Sequence, residues 1–162
     1  MVVSCAPYVP SQLEVVKKML ELAQAGPEDI VYDLGCGDGR ILFTAVKDFG
    51  VKKAVGYEID AQRYYSTLLE IERQNLGNKI QLIYGNLYDA DISEATVITL
   101  YLTTSGNRCL KPKLTKEARS DTRIVSHDFS IEGWQPLKKE FVRYGHTVYL
   151  YKINNNGQKL AK

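Results

Sequence analysis

The chain has 162 residues, 44% of them hydrophobic and 25% charged, which gives room for one domain with a proper core and leaves none for a second. With 21 Lys and Arg against 19 Asp and Glu the net charge is only +2, so charge alone gives no reason to expect nucleic acid, although a local basic patch stays open. The three cysteines, Cys5, Cys36 and Cys109, are odd in number and far apart, which argues against a disulfide framework or a zinc site and for a reducing cytoplasm.

The chain opens on Met1-Val2-Val3-Ser4-Cys5-Ala6, with no basic region ahead of it and with Pro7 and Pro10 following, which reads against a secretory signal. Ser11-Gln12-Leu13-Glu14 fits a capping box, and Val16, Leu20 and Ala23 follow at helical spacing, so a helix is expected from about Gln12 to Gln24, stopped by Gly26-Pro27. Ile30 to Leu34 is an apolar run entering a glycine loop. Ile41 to Phe49 looks helical and ends at Gly50. Ala54 to Ile59 reads as a strand, after which Asp60 can cap a long helix through Asn75.

Lys79 to Tyr84 reads as a third strand and Ala95 to Leu102 as a fully buried fourth. A short helix at Asn107 to Leu114 is expected to be disturbed by Pro112, and Thr122 to Phe129 is a further strand. Glu140 to Arg143 and Thr147 to Ile153, separated by Tyr144-Gly145-His146, suit a hairpin. No apolar run approaches the roughly 20 residues that span a bilayer. Residues 154–162 form a polar tail, so 1–153 is expected to be a single domain, with 1–25 covering its site. Strands alternating with helices predict an α/β, three-layer, Rossmann-like fold: a mostly parallel sheet with a C-terminal antiparallel hairpin and ligands at the strands' C-terminal ends.

The glycine loop Val31-Tyr32-Asp33-Leu34-Gly35-Cys36-Gly37-Asp38-Gly39-Arg40 narrows the ligand. A P-loop needs Gly-Lys-Ser/Thr, which occurs nowhere in the chain. A dinucleotide fingerprint needs its third glycine where Arg40 stands, and Asp33 beneath the loop would repel a pyrophosphate. A ligand carrying an amino group and a sulfonium would be attracted to Asp33, and S-adenosylmethionine is such a ligand. Glu58, ending the next strand, can accept the ribose hydroxyls, a feature that a dinucleotide would share. After the third strand, Asn86 is expected at the adenine edge, with Leu87 on the ring. The bland alternative makes Gly35 and Gly37 turn formers and Glu58 a solvated strand-end acid.

The acceptor is read from the segment Thr99 to Ser105. It lacks the Asn/Asp-Pro-Pro-Tyr/Phe that methylation of an exocyclic base nitrogen would bring, and Cys109 sits a turn too far on for a pyrimidine nucleophile, as a buried small residue. His127-Asp128 and His146 make no evident metal-ligand cluster, which disfavours a metal-dependent O-methyltransferase. A lysine amine fits what remains: desolvation and a nearby cation lower its pKa from about 10.4, and the enzyme supplies alignment. Tyr8, Tyr101 and Trp134 are candidate channel walls, with the plainer alternative that Tyr101 and Trp134 are core aromatics.

Tyr8-Val9-Pro10-Ser11, the Val31 to Arg40 loop, Gly56-Tyr57-Glu58, Thr99-Leu100-Tyr101-Leu102, Leu110-Lys111-Pro112-Lys113-Leu114 and Ser126-His127-Asp128-Phe129 together resemble a family of small archaeal protein-lysine methyltransferases. That family is of broad substrate range, with mitochondrial relatives and a distant link to the non-SET histone-lysine methyltransferase. The resemblance runs from about Tyr8 to Ile153. It implies a seven-stranded sheet, S-adenosyl-L-methionine as donor with S-adenosyl-L-homocysteine as product, and an N-terminal segment folded over the cofactor. By the same resemblance Tyr8, Val9, Pro10, Asp33, Gly35, Cys36, Gly37, Glu58, Ile59, Asn86, Leu87 and Tyr101 contact the cofactor, and Tyr8 and Tyr101 lie near the transferred methyl. The implied partners are lysine-containing proteins, chromatin or other abundant basic proteins among them, with no membrane or nucleic acid required and a monomeric enzyme. The loop Thr103-Thr104-Ser105-Gly106 departs from the leucine-proline of relatives. An RNA or small-molecule methyltransferase, or a cofactor-binding module that needs a partner, remains the alternative.

Overall fold

The computed structural model describes residues 6–154. In chain order the elements are α1 (Leu13–Leu22), β1 (Ile30–Leu34), α2 (Arg40–Asp48), β2 (Lys53–Glu58), α3 (Ala61–Arg73), β3 (Ile80–Tyr84), β4 (Val97–Leu100), α4 (Thr104–Glu117), β5 (Arg123–His127), β6 (Lys138–Val142) and β7 (His146–Lys152). The strands form one sheet in the order β3-β2-β1-β4-β5-β7-β6. The first five run parallel, and β7 pairs antiparallel with both β5 and β6. This is the mostly parallel sheet with a terminal hairpin that the alternating pattern predicts, and its seven strands are the number that the resemblance implies.

Both faces of the sheet are covered, and successive residues in each strand explain how. Val31 and Val97 pair across β1 and β4 and pack with Val16 and Met19 of α1 and Ile41 of α2. Their neighbours Tyr32 and Ile98 face the other way, onto Leu110 and Leu114 of α4 and Tyr151. Ile71 of α3 packs with Ala54 and Ile80 at the far edge. Apolar groups on both sides of each strand give the near-continuous apolar runs of a buried parallel sheet.

Four local expectations are corrected. Ser11 does not cap α1: Gln12 is the N-cap without a side-chain bond, while Ser11 Oγ sits 2.8 Å from His127 Nδ1. That helix also ends at Leu22, because Gln24 takes a left-handed φ of 52°. Pro112 does not break α4, which runs 14 residues through it. Pro112 faces solvent, so the carbonyl it leaves without a bond can turn to water while Leu110 and Leu114 hold the inner face. The fifth strand stops at His127, since Asp128 adopts φ 62°. The expected polar tail lies, from residue 155 on, outside the described residues, as does Cys5. No helix among the described residues is long and apolar enough to cross a membrane.

The chain winds outward from β1 in one direction through β2 and β3, and in the other through β4 and β5. The order therefore reverses between β1 and β4, and a crevice opens there at the strands' C-terminal ends.

Candidate active site

A cleft enclosing about 880 Å³, part of it continuous with solvent, sits at this reversal point. All twelve expected site residues line it, from the Tyr8-Val9-Pro10 segment through the β1 and β2 ends to Asn86, Leu87 and Tyr101. Trp134 does not. It packs against the core with its ring 6.0 Å from that of Tyr151, which corrects its reading as a channel wall.

The loop after β1 is shaped by glycines in left-handed conformations, at φ 94° for Gly35, 55° for Gly37 and 79° for Gly39. At Gly37 the space is also taken: a Cβ would stand 2.5 Å from Cε2 of Tyr8. Thr67 of α3 donates to the Gly37 carbonyl at 2.9 Å, and the Gly37 N–H donates to Glu58 Oε2 at 2.8 Å. Cys36 is packed against Gly56, and burial pushes its thiol up, so it serves as a small apolar wall.

Two carboxyl groups lie under this loop. Asp33 is buried, and Thr99 Oγ1 donates to its Oδ1 at 2.9 Å. Burial pushes its carboxyl up to about 7 against the lowering effect of that hydrogen bond. Glu58 is buried as well, and its Oε1 accepts from the Asp60 N–H at 3.0 Å and from Arg63 Nε at 3.1 Å. With Gly37 this makes three donors on a group that has about four lone-pair directions. A diol reaching both oxygens therefore has to displace Arg63.

Arg63 is the main residue missed from sequence. Its guanidinium lies 4.5 Å from the centre of the Tyr8 ring, so it bridges the N-terminal segment and Glu58. A basic residue in the first turn of the helix after Glu58 was the available signal. Arg40 performs a parallel task, pairing with Asp38 and donating to the Ser11 carbonyl at 2.8 Å. At the third strand end, Asn86 Oδ1 caps the following turn by accepting the Tyr88 N–H at 2.9 Å.

At the other end of the cleft stands Tyr101, whose hydroxyl donates to Asp128 Oδ2 at 3.4 Å and whose ring lies 3.8 Å, centre to centre, from that of His127. Burial, then the Asp128 charge, raise its pKa, so the phenol keeps its proton. Behind it, His127, Asp128 and His146 bring ligand-type atoms within 4.8 Å of one another, correcting the expectation that no such cluster forms. Hydrogen bonds close it: His127 Nε2 to His146 Nδ1 at 2.9 Å, and His146 Nδ1 to Asp128 Oδ2 at 3.0 Å. Burial, with the second histidine, keeps His127 neutral, lowering its pKa to about 4 against the pull of Asp128. Burial would raise Asp128, but the Thr147 N–H and the two histidines outweigh it and hold that carboxyl below its usual range. Cys109 is exposed on α4, not buried as expected.

This arrangement fits a ligand with positive charge over Asp33. A buried carboxyl pushed to about 7 is a group that a cation would relieve, and the close-packed glycines leave backbone rather than side chains against that ligand. Comparison with known proteins points the same way. Residues 33–138 match the family described as the ANTKMT methyltransferase domain. A protein-lysine N-methyltransferase of Saccharolobus islandicus is 52% identical over 153 residues, covering 93% of this chain and 95% of that one. The mouse adenine nucleotide translocase lysine N-methyltransferase is 29% identical over 96% of this chain and 66% of its own length. Among solved structures, an RNA methyltransferase from Salinibacter ruber in complex with S-adenosyl-L-homocysteine is similar with a TM-score of 0.86 and 40% identity, covering 90% of this chain and 94% of that one.

Proposed function

The chain belongs to the ANTKMT methyltransferase family, and from that membership we infer that it methylates lysine side-chain amines of proteins with S-adenosylmethionine as donor. The observation that carries the reading is the buried Asp33 carboxyl in a cleft that Tyr8 and Tyr101 also line. The bound donor supplies an electrophilic methyl group on a sulfonium. Everything else is work for the chain's own residues.

In this reading Asp33 neutralises the donor's positive charge, and Gly35, Cys36 and Gly37 let it lie against backbone. Glu58, with Ile59 beside it, takes the ribose hydroxyls as Arg63 yields. Asn86 offers its amide NH2 to the adenine edge, because its Oδ1 already serves Tyr88, and Leu87 packs on the ring. Tyr8, Val9 and Pro10 cover the cofactor and keep water from it. Tyr8 and Tyr101 flank the acceptor amine, which has to lose a proton before it attacks. Removal from water and a neighbouring cation both favour that loss, so alignment and desolvation carry the rate.

The same reading takes residues 1–153 as one methyltransferase domain, acting as a monomer in the cytoplasm on exposed lysines of many proteins, chromatin or other abundant basic proteins among them, without nucleic acid. The described residues go mostly into the sheet and its helices, which leaves few of them to read a target's sequence. The likeness to the Salinibacter RNA enzyme favours RNA as the second reading. Labelled S-adenosylmethionine with a cell extract treated with RNase or with protease decides between them. Label in protease-sensitive material, located on lysine by mass spectrometry, is the expected result. Label only in RNase-sensitive material overturns the lysine reading, and label that moves only when a second protein is added makes the chain a partner-dependent module.

A further inference from the structure

Tyr101 is held from three sides by residues distant in sequence. The His127 ring lies 3.8 Å from it, tilted by 31°, the Phe129 ring lies 6.4 Å away, and Asp128 Oδ2 accepts the hydrogen bond of its hydroxyl. Asp128 itself is fixed. Its backbone takes a left-handed φ of 62°, which few residues other than glycine, asparagine and aspartate adopt, and its Oδ1 accepts the Thr147 N–H at 3.0 Å.

The protons of the cluster follow from its partners. His146 Nδ1 faces both carboxylate oxygens, at 3.0 and 3.3 Å, so it carries a hydrogen. His127 Nε2, 2.9 Å from that nitrogen and 3.4 Å from Asp128 Oδ2, then shares that one hydrogen as a second acceptor, which places the other ring hydrogen on Nδ1, facing Ser11 Oγ at 2.8 Å. Asp128 is thus an acceptor on every side, and the hydroxyl of Tyr101 can meet it only by donating. A phenol whose hydrogen is committed in this way presents lone pairs to anything else that approaches it. At the end of a cleft built for a cationic donor, the approaching group is the acceptor amine.

We propose that Asp128 is a positioning residue for methyl transfer: by holding the Tyr101 hydroxyl as a donor, it turns that oxygen's lone pairs toward an N–H of the acceptor lysine and so orients the nitrogen. The proposal rests on the lysine reading and adds to it a group outside the cleft lining. It also ties the N-terminal segment to the acceptor side, since Ser11 closes the chain of bonds three residues after Tyr8.

The test is a double-mutant cycle on the full chain, with a lysine-bearing protein acceptor and with kcat, KM and cofactor Kd measured separately. Tyr101→Phe and Asp128→Ala are each expected to lower kcat by about 10- to 100-fold, the worth of one charge-assisted hydrogen bond, with cofactor Kd changed less than threefold. If Asp128 acts through Tyr101, the double variant is no slower than Tyr101→Phe within twofold. Asp128→Asn, which keeps one oxygen to accept the phenol, stays closer to the parent than Asp128→Ala and guards against a folding defect in the latter. Losses that multiply in the double variant, or an equal loss of cofactor affinity, overturn the proposal and leave the lysine reading standing. A parent enzyme that labels no lysine overturns that reading and this proposal together.

Discussion

The ring of Tyr8 fills the place a side chain at Gly37 would take, its Cε2 2.5 Å from where a Cβ would stand. The loop and the N-terminal segment are therefore fitted to each other, and a single methyl group is enough to separate them. Gly37→Ala is expected to weaken cofactor binding at least tenfold by calorimetry, because the ring leaves the cleft or the loop shifts away from Glu58. In a Tyr8→Ala background the same substitution meets no ring, so its additional effect on cofactor binding is expected to fall below threefold, while the left-handed backbone costs about 1–2 kcal/mol of stability in either background. Equal losses in both backgrounds would disconnect the two residues.

Glu58 holds the glycine loop to the start of α3 through Gly37, Asp60 and Arg63. Glu58→Ala removes those bonds together with the group that receives the ribose, so cofactor affinity is expected to fall by about 1.5–3 kcal/mol or more. Glu58→Gln keeps one acceptor oxygen and a similar volume, and is expected to lose less. Binding unchanged in both variants would take Glu58 out of the cofactor site.

The strands and the glycine loop were legible because a buried parallel sheet writes itself as short apolar runs between turn signals. Ile30 to Leu34 reads as a strand from its own composition. The acceptor side was not legible in the same way. Ser11 fits a local capping pattern with Glu14, yet its hydroxyl goes to His127, 116 residues away, and nothing local announces that competition. His127 and His146 meet only because β5 and β7 pair antiparallel, setting His127 opposite Val148. Trp134 stood near a strand end in sequence, but the described chain folds it back onto Tyr151. Spacing along one segment can place a loop at a strand end. It cannot say which distant side chains a strand pairing will bring behind it.

Gly56 shows how closely β2 is packed under the loop. A Cβ there would stand 2.6 Å from Leu42 Cδ1 and 2.7 Å from Cys36 Sγ, and Cys36 belongs to the glycine loop itself. Gly56→Ala is expected to destabilise the protein by about 1–3 kcal/mol through overpacking. That lowers the melting temperature by about 2–12 °C for a chain of this size. Gly50→Ala is the contrast: a Cβ there meets nothing within 4 Å, so only its left-handed φ of 63° opposes the change. Gly50→Ala therefore loses about 1–2 kcal/mol to that strain alone, and a melting temperature for Gly56→Ala equal to the parent's would refute the packing argument.

Asp33 makes stability and cofactor binding depend on pH in opposite senses. In the folded protein burial raises its carboxyl to about 7, whereas in the unfolded chain it titrates near the ordinary aspartate value of about 3.9. Below pH 4 both states hold the proton and stability is full. Between about 4 and 7 the unfolded chain gives up its proton while the folded chain keeps it, so the contribution of Asp33 falls as pH rises, by at most about 4 kcal/mol in all, and levels off above 7. Denaturant unfolding without cofactor is expected to record that decline, and Asp33→Asn to flatten it. Cofactor affinity runs the other way, because a cation favours the ionised carboxyl and its binding must expel the proton. Between pH 5.5 and 7 the Kd is expected to tighten by up to tenfold per unit and then to level off, with proton release visible as a dependence of the binding heat on the buffer. Asp33→Asn should bind weakly and with little slope over the same range. An affinity that weakens as pH rises toward 7 would mean that Asp33 does not face the donor's positive charge.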